Sequence, residues 1–298
     1  MTGMDDATGD VFALVHAPVL GPASWEPAAA ELARLTSRPV VVPSLAGFSA
    51  GGPPYAPRLI RAGADEIARL AGGARRIVLV VHSGAGPLAG QLAAATADAV
   101  AAGARADTAA PPEAGTGSAA GAGASVGRAD PVASAEASTA AGTGAGTDGA
   151  GTVAVGVIFA DAGLPRGLAG GGGPTPVVDG QFLPYLREIA RDGVVPPWPQ
   201  WWPGVDPAEI FPSEEARAAV LADARPLPLA FFEEEVPAVA LPGPAGYLLF
   251  SEGYGAAAMR ARELGWPVRE LAGSHLHLLV RPEETAAAVA ALAAELSW

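Results

Sequence analysis

The apolar run Ile77-Val-Leu-Val-Val81 stops at His82-Ser83-Gly84-Ala85-Gly86 and passes directly into the alanine- and leucine-rich segment 87–100. A β-branched run of that kind reads as a buried strand, and the segment behind it as a helix. The chain between them is too short for a loop, so strand must turn sharply into helix. That connection belongs to layered α/β architecture.

The same rhythm recurs. Residues 11–15, 39–42, 77–81, 153–160, 247–250 and 268–271 are predicted strands, and residues 27–35, 59–70, 87–100, 213–224, 256–264 and 283–296 predicted helices. The alternation predicts a mostly parallel central sheet flanked by helices, with ligands at the carboxyl ends of the strands.

Two stretches break it. Residues 101–151 are almost entirely Ala, Gly, Ser, Thr, Asp and Pro, without an aromatic residue. Such a segment cannot bury enough apolar surface to offset its ordering entropy, so a disordered insertion is expected. One domain is then built from 1–100 and 152–298. Residues 164–232, rich in proline and tryptophan, are expected to form a small cap inserted after the strand ending at Asp161. Trp198, Trp201, Trp202, Phe211, Phe231 and Phe232 serve there either as an apolar roof for a substrate or as the cap's own core.

Composition excludes several classes. The chain has no cysteine, which removes disulfides, thiolate catalysis and zinc-thiolate sites. Its net charge is −13 and its basic residues are not clustered, against nucleic-acid binding. No apolar run approaches the roughly 20 residues of a membrane span. The start, Met-Thr-Gly-Met-Asp-Asp, lacks a signal-peptide pattern, so a cytoplasmic location is expected. No metal site is expected, because the histidines lack helical spacing and Asp5-Asp6 stands at a frayed terminus. Glycines 170–173 precede no Gly-Lys-Ser/Thr and form no phosphate loop, and Glu233-Glu-Glu235 reads as a solvated charge run.

The four histidines, His16, His82, His275 and His277, all fall at or near the ends of strand-like runs. A serine on a tight strand-to-helix turn, with its hydroxyl held outward and the next amide aimed at whatever it attacks, has the layout of a nucleophile elbow.

Together, His16-Ala-Pro, Trp25, Val-Pro-Ser-Leu-Ala-Gly at 42–47, His-Ser-Gly-Ala-Gly at 82–86, Phe-Ala-Asp-Ala-Gly-Leu-Pro at 159–165 and Gly-Ser-His at 273–275 resemble the α/β-hydrolase superfamily. The resemblance covers nearly all the chain outside 101–151. It is nearest to small cap-bearing esterases and the hydroxynitrile-lyase-like branch. It implies a cofactor-independent enzyme with Ser83 as nucleophile and His275 as base, acting on a small or medium carboxylic ester. Gly84 and the loop after His16 would hold the oxyanion, with His16, Val19, Trp25 and His82 around the substrate. His277 reads as a packing or hydrogen-bonding histidine, although an extended segment would put it on the same face as His275.

The sequence departs from the superfamily pattern at three points. Tyr254 occupies the usual place of the acid, leaving Glu252, two residues earlier, or Asp161, at the end of the preceding strand, to orient the histidine. Pro18 stands where relatives supply an oxyanion amide and has no N–H, so that donor is expected to shift to Val19. Val81, two residues before Ser83, is bulkier than the glycine or alanine usual there and is expected to strain or open the turn. A lyase using the same Ser-His pair, or a ligand-binding protein with a vestigial site, are the alternatives these departures allow.

Overall fold

A computed structural model describes residues 10–109, 153–168, 172–202 and 210–298. The first half alternates strand and helix: β1 (Asp10–Val15), α1 (Glu26–Thr36), β2 (Val40–Val41), α2 (Ala56–Ala71), β3 (Arg76–His82), α3 (Ala89–Ala109) and β4 (Ala154–Ala160). The cap contributes β5 (Thr175–Pro176), α4 (Leu183–Ile189), β6 (Val194–Val195), α5 (Glu214–Asp223), β7 (Leu227–Pro228), α6 (Leu229–Phe232) and β8 (Glu235–Val236). The chain closes with β9 (Ala245–Leu249), α7 (Gly255–Glu263), β10 (Val268–Glu270), α8 (His277–Val280) and α9 (Pro282–Glu295).

Six strands form one parallel sheet in the order β10-β9-β4-β3-β1-β2. The central strands are apolar on both faces, as helices on both sides require. Ala13, Val15, Leu79, Val81 and Phe159 point to the face covered by α2 and α3. Phe12, Leu14, Val80, Ile158 and Leu248 point to the face covered by α1 and α9. Register places the site: Val81 pairs with Val15 and with Phe159, and Phe159 pairs with Tyr247. Ser83 and Asp161 therefore stand two residues beyond one row, at the carboxyl edge beside the β1/β3 switch in strand order.

Several boundaries moved. The segment expected to be helical from residue 87 begins as a 3-10 helix at Ser83–Leu88 and becomes α3 at Ala89. That helix continues to Ala109, into the stretch expected to be disordered, because its alanine-rich sequence favours helix extension. The rest of that stretch, 110–151, lies outside the described residues, as do 169–171 and 203–209 of the cap. Val81 opens nothing: it stays in the ladder between Val15 and Phe159. Among the described residues no helix is long and apolar enough to cross a membrane.

Two short antiparallel ribbons, β5 with β8 and β6 with β7, tie the cap together, and the first extends it past residue 232. The Ser213 hydroxyl caps α5 by accepting from the Ala216 N–H at 3.1 Å. Two carboxylates fasten the cap to the sheet domain. Asp223 accepts from the Ala23 N–H at 3.0 Å, and it lies so close to Gly21 that a Cβ there would be 2.2 Å from its own Cβ. Glu234 accepts from the Tyr55 and Ala56 amides, at 2.6 and 2.7 Å, at the start of α2. The 233–235 run is therefore not wholly solvated, because its middle residue caps a helix whose unpaired N–H groups favour an anion.

Candidate active site

Ser83 follows the last residue of β3 and takes φ 55, a left-handed conformation that a serine adopts only when the surrounding structure enforces it. The 3-10 helix starts at Ser83 itself, so its first amides have no partner within the helix. The Ser83 hydroxyl lies 2.9 Å from His275 Nε2. On the other side of that ring, His275 Nδ1 lies 2.7 Å from Asp161 Oδ2. A carboxylate accepts only, so Nδ1 carries the proton and Nε2 is free to accept one from Ser83.

Asp161 is fully buried at φ 44, just past β4. Its Oδ1 accepts from the Phe250 and Ser251 amides at 2.9 Å each, and its Oδ2 also accepts from the Ser251 hydroxyl at 2.6 Å. Burial pushes its pKa up. The hydrogen bonds from His275, Ser251 and the Phe250 amide outweigh burial and hold the carboxyl below its ordinary range. The Tyr247 hydroxyl fixes the next residue, donating to the Ala162 carbonyl at 2.8 Å and accepting from its amide at 3.1 Å. Neither Ser251 nor Tyr247 stood out in the sequence. Each acts on a segment far away in the chain, and no local pattern marks it.

Of the two acids left open by the sequence, Asp161 is the one brought against His275. Glu252 is exposed at the start of the 3-10 turn Glu252–Tyr254, and among the described residues its carboxylate has no hydrogen bond to the imidazole. His277 is not on an extended segment. It opens α8, is nearly buried, stacks on Phe250 at 5.4 Å and faces Glu284 at 3.2 Å.

The cavity over Ser83 has a volume of about 300 Å³. Trp198, Trp201, Trp202, Phe231 and Phe232 line it, whereas Phe211 packs into the core instead. Pro18, Val19 and Gly84 also line it, and Tyr254 and His275 supply its polar groups beside Ser83. Among the described residues no lysine, arginine, aspartate or glutamate lines this space.

Three residues expected around the substrate are buried beneath the site instead. His16 donates from Nδ1 to the Ala17 carbonyl at 2.8 Å and accepts from the Leu45 amide at 3.3 Å. Trp25, fully buried, meets His82 edge-on at 6.1 Å. His82 donates from Nε2 to the His275 carbonyl at 3.0 Å, and its ring stacks on that of His275 at 4.6 Å. Strand parity explains His82: it precedes Ser83 and projects to the opposite face from the turn.

Burial drives the His82 pKa down to about 3, with the neighbouring His275 acting in the same direction, and burial lowers that of His16 as well. These rings stay neutral in the folded protein. The unfolded chain takes up their protons below about pH 6.5, so stability falls as pH drops from there toward 3. His82 contributes on the order of 1 kcal/mol per pH unit across that window, and His16 acts in the same direction. Asp161 works in a lower window: its depressed pKa adds stability above its unfolded value, lost only on stronger acidification. Urea unfolding at pH 7 and pH 4.5 is expected to show a clear loss at the lower pH. His82→Gln is expected to shrink that difference by about one proton's share. An equal difference in both proteins rules out His82 as its source.

A parallel sheet in this order, a serine at positive φ between β3 and α3, and a cap between β4 and β9 define the class: the chain has the α/β-hydrolase fold. Solved structures agree across almost the whole length. The chain is similar to an extracellular α/β-hydrolase from a Paenibacillus species, described as sharing structural and functional homology with tobacco salicylic acid binding protein 2. The match covers 96% of this chain and 98% of that one, at 15% identity and TM-score 0.52. A variant of the pyrethroid hydrolase PytH matches over 96% of this chain and 98% of its own, at 15% identity and TM-score 0.53. AqDC, described by its recognition and ring-cleavage of the Pseudomonas quinolone signal, covers 96% and 92% at 14% identity and TM-score 0.50. No protein-family model matches the chain, and no curated protein matches it in sequence.

Proposed function

We propose that this protein is a cofactor-independent serine esterase acting on small or medium, uncharged, largely apolar carboxylic esters. The fold alone does not choose this reading, since the structures that share it are named both as hydrolases and as a ring-cleaving enzyme. One observation carries it: the relay from Ser83 Oγ to His275 Nε2 at 2.9 Å and from His275 Nδ1 to Asp161 Oδ2 at 2.7 Å, opening into an apolar cavity.

In the proposed cycle Ser83 Oγ attacks the ester carbonyl while His275 Nε2 takes its proton. The carbonyl π pair moves onto oxygen, facing the Gly84 amide. Collapse expels the alkoxide, which receives the proton from His275, and leaves an acyl-Ser83. Water, deprotonated by the same imidazole, releases the acid. Asp161 keeps the proton on Nδ1 and balances the transient imidazolium. The uncharged lining favours neutral esters, because a charged group would lose its hydration there without gaining a partner.

One observation favours a second reading. Pro18 has no amide to offer the oxyanion, which suits a ligand-binding protein or a lyase that forms no acyl intermediate. A fluorophosphonate probe, mapped by mass spectrometry to the peptide carrying Ser83, separates them. Stoichiometric labelling is expected, and its loss in Ser83→Ala and His275→Ala. Folded wild-type protein that takes no label overturns the esterase reading in favour of the binding protein; labelling without ester turnover favours the lyase.

A further inference from the structure

Pro18 and Val19 form the middle of a turn in which the Leu20 amide donates to the Ala17 carbonyl at 2.9 Å. The Leu20 N–H is thus engaged and Pro18 has none. The Pro18 ring lies against the elbow, with its Cδ 3.6 Å from where a Cβ on Gly84 would stand. Pro18 therefore presents hydrocarbon where an oxyanion amide belongs, and the Val19 N–H is the amide this turn has left to offer.

A different donor also stands beside Ser83. Tyr254, at the end of its 3-10 turn, holds its hydroxyl 3.4 Å from Ser83 Oγ. That is its only hydrogen-bonding neighbour among the described residues. The ring lies flat on His275, with centroids 5.1 Å apart and planes 10° from parallel. His275 thus stacks with two rings, Tyr254 and His82. Burial raises the Tyr254 pKa, so the phenol keeps its proton and acts as a donor.

We propose that the Tyr254 hydroxyl is the second oxyanion donor of this site, in place of the amide that Pro18 cannot supply. The proposal rests on the esterase reading above. When Ser83 Oγ bonds to the carbonyl carbon, the displaced π electrons settle on an oxygen two bonds from Oγ. A donor 3.4 Å from Oγ in the free protein is within a small side-chain adjustment of that oxygen. In the resting site 3.4 Å is longer than a formed O–H···O hydrogen bond, so the phenol is poised and not engaged. It becomes engaged as negative charge develops. A donor that strengthens only in the transition state raises kcat and leaves ground-state binding alone.

Tyr254→Phe removes the hydroxyl and keeps the ring on His275. Expected is a loss of about 10² in kcat for p-nitrophenyl esters, with KM within about threefold. Affinity for a trifluoromethyl ketone, whose adduct on Ser83 carries the same oxyanion, is expected to fall by a matching factor. Affinity for the corresponding unreactive alcohol is expected to stay constant. A purely structural tyrosine would not produce that split. In the wild-type protein, a crystal structure of the ketone adduct is expected to show the phenol oxygen about 3 Å from the adduct oxygen; a separation beyond about 3.5 Å overturns the proposal whether or not the variant folds. Active wild type beside an equally active Tyr254→Phe also overturns it, and gives the role to the Val19 amide. Wild type with neither turnover nor Ser83 labelling removes the esterase reading and this proposal together.

Discussion

Asp161→Asn is expected to lower kcat for ester hydrolysis by about 10⁴, the size of effect that the wrong histidine tautomer has in a serine-protease triad. The direction follows from the donors around the carboxylate. Oδ1 accepts from two backbone amides, Phe250 and Ser251, so the amide oxygen of an asparagine must take that place. Its NH2 then faces the Ser251 hydroxyl and His275 Nδ1, where Oδ2 stood. The hydroxyl can rotate to accept. His275 can accept only by moving its proton to Nε2, and Nε2 then donates toward Ser83 in place of accepting from it. The fold should hold, since the backbone contacts remain. Glu252→Gln, on the exposed turn, is expected to retain wild-type turnover. Steady-state kinetics of both variants, with the rate of fluorophosphonate labelling beside them, test this. An Asp161→Asn enzyme within tenfold of wild type, or an equal loss in Glu252→Gln, would falsify the assignment.

That pair also shows where sequence reasoning ended. The strand-to-helix turn at Ser83 was legible because a β-branched run, a serine between small residues and a helix-forming segment are all local signals. The parallel sheet was legible for the same reason. The choice between Asp161 and Glu252 was not. They follow β4 and β9, which are neighbours in the sheet, so both stand near the right edge. The difference lies in backbone angles: φ 44 at Asp161 turns its carboxylate under His275, while Glu252 faces solvent. His16, Trp25 and His82 were legible as residues near the site, but whether each faced the cavity or the core depended on packing. The capping role of Glu234 is not legible, because nothing nearby in sequence announces that the start of α2 will be brought against it. The Tyr247 hydroxyl likewise meets a segment 85 positions away.

Gly86→Ala is expected to damage folding and turnover together, because at Gly86 the elbow touches the acid loop. A Cβ on residue 86 would stand 2.1 Å from the Gly163 carbonyl oxygen and 2.9 Å from Ala162 Cβ. The first of these is backbone, so no side-chain rotation relieves it. The loop has little freedom to retreat. Asp161 is held by four hydrogen-bond donors, and Ala162 is fixed through both its backbone groups by Tyr247. The elbow is equally constrained, with Ser83 already in a left-handed conformation. Either side must yield on the order of 1 Å, and a misplacement of that size between reacting groups typically costs about 10² in rate. Overpacking of this kind also destabilises by about 1–3 kcal/mol, equivalent to several degrees in Tm for a domain of this size. Gly163→Ala is the control: its Cβ would meet the Pro87 ring, Cγ at 3.7 Å and Cδ at 3.8 Å, ordinary contacts, and should leave Tm and kcat near wild type. Thermal melts and ester kinetics on the two alanine variants decide the matter. If Gly86→Ala melts and turns over like wild type, the elbow and the acid loop are not mechanically coupled. If it falls while Gly163→Ala does not, the close approach at Gly86 sets the spacing between the Ser83 turn and the Asp161 carboxylate.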